Sequence, residues 1–327
     1  MPSSIALRSP LLLLLLLIVL PYCDSQAAAR QIWAWANGNA ENAQDQIRQL
    51  NNATWNSIID GIQAWCGCSF TETGLKLDQT AWDGCTPLFQ AAKSSNTKFQ
   101  LIISGSIPHN APVDKFVMDA LALHHHLRKS SNLVGFSLDD ERDCAPRATT
   151  RDFVAWTTWQ SLFAQGLRPH GLAVTSAIQA AFGIGTAPEN RPCDQSPSNY
   201  TFDPQVVQAL QTATLQRWLI MDTYYFSTGR FMGALDWHVT YVPLDILGIG
   251  LMNRPNDLSE DDLVARFHAM DVSGVNWINI FMLPIAEEFL PFLQRWKTFC
   301  SSCGKQTVLG CYDMTISCDQ GIVTSEL

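Results

Sequence analysis

The segment Leu133-Val134-Gly135-Phe136-Ser137-Leu138 runs directly into three consecutive acids, Asp139, Asp140 and Glu141. If it is extended, side chains alternate between two faces. Val134, Phe136 and Leu138 then share one face, and Gly135, Ser137, Asp139 and Glu141 share the other. Two acids at positions i and i+2 stand roughly 6 to 7 Å apart along a strand, a range over which two carboxyl groups can divide acid and base work on one bond. A carboxyl group crowded by a second one resists ionising, so one of the pair can stay protonated near neutral pH and give its proton to a leaving oxygen. Parity sends Asp140 to the opposite face. Capping or loop chemistry needs one acid, whereas here a face of small residues leads into two.

Such a pair needs elements that hold it at one edge of a sheet. Strand-like apolar runs followed by amphipathic helical ones alternate through most of the chain. Eight strands are predicted, over 32–37, 56–62, 99–106, 133–141, 171–178, 218–226, 246–253 and 275–282. Helices are predicted between them over 41–50, 113–129, 151–165, 260–270 and 286–298. Eight such units over this length point to an α/β fold, a closed (β/α)₈ TIM barrel, in which Asp139 and Glu141 end the fourth strand at the catalytic edge. No glycine-rich phosphate turn opens the first unit, which removes the main support for a dinucleotide fold.

The N-terminus carries Arg8, an apolar run from Leu11 to Leu20, and then Ser25-Gln26-Ala27. It reads as a secretory signal peptide over 1–27, because the run is far shorter than the ~20 residues a membrane helix needs. The barrel follows over 28–298 and a short Cys-rich, disulfide-tied tail over 299–327. Secretion through an oxidising compartment fits the ten cysteines. Cys23 leaves with the signal, so an odd number remains. A bridge between Cys144 and Cys193 would tie two loops of the active face together. The tail cysteines lack the paired spacing of a zinc site. Asn52-Ala53-Thr54 and Asn199-Tyr200-Thr201 are glycosylation acceptors. A net charge of −9 speaks against nucleic acid and anionic membranes. No metal or cofactor is expected, nor membrane association after signal cleavage, and a monomer is expected. Asp139, Asp140 and Asp143 also spell the magnesium-binding Asp-Asp-x-x-Asp of terpene synthases, but the strand before them contradicts that helical motif. His124, His125 and His126 fall within a helix, where successive side chains diverge by about 100° and do not converge on one ion.

The stretch Val134 to Glu141 resembles the fourth-strand pattern Asp-Gly-x-Asp-x-Asp-x-Glu of the family 18 glycoside hydrolases, the chitinase family. Gly135, Asp139 and Glu141 match it, whereas Val134 and Ser137 replace its first two acids. Ser104-Gly105-Ser106 and Met221 to Tyr225 are similar to the family's third- and sixth-strand motifs. The resemblance implies that Glu141 is the general acid and that Asp139 orients a substrate acetamido group, which itself attacks the anomeric carbon. It further implies that Asp222 and Tyr224 hold the acetamido carbonyl and that Trp277 floors the sugar site. Asp140 would serve instead if the site resembled two other hexosaminidase families with adjacent acids. Trp33, Trp35, Trp65 and Trp277 offer flat faces for sugar rings, and Asn253, ending the seventh strand, joins the substrate-binding candidates. An oligo- or polysaccharide is the partner implied. A chitinase-like lectin without turnover, and a barrel glycosidase in which Asp139 or Asp222 attacks directly, are the competing readings.

Overall fold

The computed structural model describes residues 30–139, 150–179, 204–221, 227–253 and 258–298. Nine strands form one sheet: β1 (Gln31–Asn37), β2 (Gly61–Thr71), β3 (Gly74–Leu77), β4 (Lys98–Ser104), β5 (Leu133–Asp139), β6 (Ala173–Gln179), β7 (Arg217–Met221), β8 (Leu247–Met252) and β9 (Trp277–Phe281). Every strand except β3 runs parallel to its neighbours, and β1 pairs with both β2 and β9, which closes eight strands into a barrel. β3 is an antiparallel appendage on β2. Helices lie between the strands as crossover connections, and the fold is the expected (β/α)₈ barrel.

Local chemistry explains where one of these helices begins and ends. Glu260–Ser273 starts at a reciprocal cap, in which Ser259 Oγ accepts from Asp262 N at 3.1 Å and the Asp262 carboxylate accepts from Ser259 N at 3.2 Å. It ends at Gly274, whose φ of 80° suits a left-handed C-terminal residue. Among the described residues, no helix is long and apolar enough to cross a membrane. Outward-facing strand residues such as Phe136 and Leu138, both fully buried, pack with the helix layer in one large core that includes Phe163, 6.4 Å from Phe136 between ring centroids. Burying each such side chain contributes about 1.5–3 kcal/mol.

Two departures from the expected strands bear on the site. The second strand is β2, starting at Gly61 rather than at Asn56. Residues 53–56 instead form a short helix, with Asn52 Oδ1 accepting from Thr54 N at 2.9 Å. The apolar pair Ile58-Ile59 that mimicked a strand is buried in the large core instead. The second departure lies in β5. Phe99 pairs with Leu133 but Gln100 with Gly135, so Val134 is the extra residue of a bulge. Val134 therefore packs with the lumen residues instead of with Phe136 and Leu138, and regular alternation resumes only beyond it. The sequence pattern also missed the helices Gln79–Gly84, Thr86–Ser94, Pro204–Thr212 and Thr228–Tyr241, and the β2–β3 hairpin.

A disulfide joins Cys66 in β2 to Cys85, which lies between two of those helices, across a separation of 19 residues. Closing a loop of that length restricts the unfolded chain by about 3 kcal/mol. Replacing both cysteines by alanine should lower the unfolding free energy from chemical denaturation by a matching amount, and an unchanged value would show that the bridge adds nothing. Cys68 is a buried free thiol, pushed up to about 12 by burial and then by Asp119. Cys144, Cys193 and the tail cysteines lie outside the described residues.

Candidate active site

The barrel lumen is filled from bottom to top by side chains of different kinds. At the N-terminal end, Trp33 and Trp277 stack with ring centroids 4.7 Å apart, and the Arg217 guanidinium lies 4.7 Å above the Trp277 ring. Both rings are essentially inaccessible, at 1% and 0% exposure. Space for them comes from glycines on the neighbouring strands, because a Cβ at Gly61 of β2 would stand 2.7 Å from the Trp33 ring and one at Gly248 of β8 would stand 3.1 Å from Trp277. Burial pulls Arg217 down to about 10, with Asp245 opposing, so it remains a cation at neutral pH.

Above this layer lies a hydrogen-bonded set of three amides and one hydroxyl, which extends through Gln100 Nε2 to Gln216 Oε1 at 3.2 Å. Gln63 Nε2 donates to Gln100 Oε1 at 2.8 Å and to Thr175 Oγ1 at 2.9 Å, Thr175 Oγ1 donates to Gln100 Oε1 at 3.0 Å, and Asn279 Nδ2 donates to Gln63 Oε1 at 2.6 Å. All four residues are fully buried. Four strands are thereby cross-linked through their inward faces, in a place where an unpaired amide would cost about 1–3 kcal/mol.

The C-terminal end carries the candidate site. Asp139 closes β5, paired in register with Ser104 of β4 and Ala177 of β6. Trp65 Nε1 donates to Asp139 Oδ2 at 2.9 Å. Around this pair stand Trp35, whose ring centroid is 6.2 Å from that of Trp65, and Phe281, edge-on to Trp35 at 5.4 Å and to Trp65 at 6.1 Å. Trp35 is buried at the base of the group, whereas Trp65, Asp139, Phe281 and Met282 are half-buried. The result is a carboxylate at the edge of an aromatic floor. Flat apolar faces beside a hydrogen-bonding acid suit a ring-shaped polar ligand.

The predicted site residues separate accordingly. Asp139 and Trp35 come together at the C-terminal end. Trp33 and Trp277 do not join them, because they sit near the starts of their strands and fill the opposite end of the lumen. Their parity was inward, as expected, but a parallel strand brings only its last residues to the catalytic edge. Asn253 follows β8 directly and is occupied in holding the chain after β9. Its Nδ2 donates to the carbonyls of Met282, at 2.7 Å, and Pro284, at 2.5 Å, while its Oδ1 accepts from Ala286 N at 2.7 Å. It therefore positions the loop that carries Met282. Asp140, Glu141, Asp222 and Tyr224 lie outside the described residues. Phe281 was missed by sequence reasoning, and Trp65 was noticed only as one tryptophan among several. The signal for Trp65 was hidden by the misplaced second strand, and that for Phe281 was its place as the last lumen-facing residue of its strand. Among the described residues, no cluster of three or more His, Cys, Asp or Glu is arranged to hold a metal.

No protein-family model and no curated protein matches the chain. Solved structures do. A class V chitinase from Pseudomonas fluorescens Pf-5 superposes with a TM-score of 0.59 at 12% identity, covering 81% of this chain and 99% of that one. A chitinase from Chromobacterium violaceum gives 0.59 at 12%, covering 83% and 100%. The spore cortex-lytic enzyme SleL of Bacillus megaterium gives 0.59 at 10%, covering 83% and 74%. The eight-stranded parallel barrel described above is thus the fold shared by these chitinases and by the cortex-lytic enzyme.

Proposed function

We propose that the chain is a diverged, secreted member of the family 18 glycoside hydrolases that cleaves N-acetylhexosamine-containing glycans. The observation that carries this reading is the Asp139 carboxylate at the catalytic end of β5, set beside the floor of Trp35, Trp65 and Phe281 in a barrel of the chitinase fold. In this reading Glu141 protonates the glycosidic oxygen as the bond to the anomeric carbon breaks. Asp139 orients the substrate acetamido group, whose carbonyl oxygen attacks that carbon from the opposite face. Water then opens the resulting ring with Glu141 acting as base, and the anomeric configuration is retained. Asp222 and Tyr224 are proposed to hold the acetamido group, and stacking passes from Trp33 and Trp277 to Trp35, Trp65 and Phe281.

One observation favours a second reading, a chitinase-like lectin. Ser137, on the lumen face one step before Asp139, is buried and offers a neutral hydroxyl where the family pattern carries an acid. The purified protein decides between the two with fluorogenic N-acetylglucosamine oligomers and plain glucosides. Turnover restricted to the acetylated substrates is the expected result. Binding without turnover leaves the lectin, and equal turnover of glucosides removes the substrate-assisted mechanism.

A further inference from the structure

We propose that Trp65 is the positioning residue of this site, its indole N–H holding the Asp139 carboxylate in one orientation. The inference rests on the reading of Asp139 as the group that orients the substrate. The 2.9 Å bond from Trp65 Nε1 to Asp139 Oδ2 joins a donor-only group to an acceptor that carries charge, the pairing that gives short and strong hydrogen bonds.

What distinguishes Trp65 from a chance partner is how tightly the indole itself is held. Trp35 and Phe281 flank it, with centroids 6.2 and 6.1 Å away. Its own backbone carbonyl lies 3.3 Å from Cys85 Sγ, and the next residue, Cys66, is bridged to that same cysteine. Immediately beyond, β2 slips its register against β4 between Trp65 and Cys68, with Gly67 at a φ of 77°. That bulge interrupts the regular pairing just beyond Trp65. A Cβ at Gly67 would press on Ala81 at 2.7 Å, so the chain has little room to take another path. A disulfide, a bulge and two aromatic rings thus converge on one indole, and that indole's polar atom points at the carboxylate. Ser137, the preceding lumen residue of β5, is neutral, so it supplies no charge that would direct the Asp139 side chain.

The experiment compares the full chain with Asp139→Asn and Trp65→Phe. With ¹⁵N-labelled tryptophan, one of the eleven indole N–H resonances should move markedly upfield when Asp139 becomes asparagine, and that same resonance should be missing in Trp65→Phe. In turnover, Trp65→Phe should lower kcat by about tenfold to a hundredfold while KM stays within about twofold. An indole spectrum that Asp139→Asn leaves unchanged overturns the proposal. So does a Trp65→Phe protein of normal kcat. If Trp65→Phe fails to fold, the comparison of wild type with Asp139→Asn still decides the pairing. If the wild-type protein turns over no substrate, the hydrolase reading falls, whereas the indole shift stands or fails independently of it.

Discussion

Glu141→Gln should lower kcat on unmodified N-acetylglucosamine oligomers by roughly a hundredfold to ten-thousandfold while leaving oligomer binding within a fewfold of wild type. Glutamine keeps the size of the side chain and its hydrogen-bonding reach but has no proton to give. The expected pattern also depends on the leaving group. A sugar hydroxyl leaves poorly unless protonated, whereas an activated phenol leaves almost unaided, so the loss should be several times smaller on aryl glycosides than on natural oligomers. Parallel measurements of kcat on the two substrate types, with calorimetric binding as the control, test the role itself rather than general damage. Equal losses on both, or turnover within about tenfold of wild type on the oligomers, would remove Glu141 from the position of acid.

The second large effect is expected at a residue with no functional group. A Cβ at Gly135 would lie 2.0 Å from the carbonyl oxygen of Ala173 and 2.8 Å from its nitrogen, and Ala173 is its register partner on β6. Both contacts are to backbone, so neither can be relieved by turning a side chain. Gly135→Ala must therefore push β5 and β6 apart. Overpacking of this kind costs about 1–3 kcal/mol, and the shift is carried along β5 to Asp139, four residues on. A displacement of about 1 Å at a reacting group costs about a hundredfold in rate. Denaturation midpoint and kcat should fall together in Gly135→Ala. A variant with both at wild-type values would show that the strands have slack that these distances exclude.

How legible the molecule was in its sequence can be read from these same residues. The barrel was legible because its strands are short and mostly buried and its helices amphipathic, a contrast that survives errors of several residues at each boundary. Asp139 was legible because its strand ends where the apolar pattern ends. Position along a strand was harder than face. Trp33, Trp35 and Trp277 all have lumen parity, and parity alone does not say which end of the barrel a ring occupies. Two bulges of irregular backbone hid the rest. The bulge at Val134 reversed that side chain's face without any proline or glycine at the position itself to announce it. The bulge beyond Trp65 depends on Gly67, a signal that went unread because the strand was placed too early. Asn253 is polar at the end of a strand, as a ligand-binding residue would be, but polarity does not distinguish a group meant for substrate from one spent on a neighbouring loop.

Trp33 and Trp277, stacked across the lower lumen with a guanidinium that burial has not stripped of its charge against the Trp277 ring, turn the barrel into a well rather than a pipe. The amide layer above them is a second, polar stopper. Among the described residues these two layers leave a ligand on the aromatic floor no passage downward, so in the proposed hydrolase substrate, water and product would all come and go at the C-terminal end.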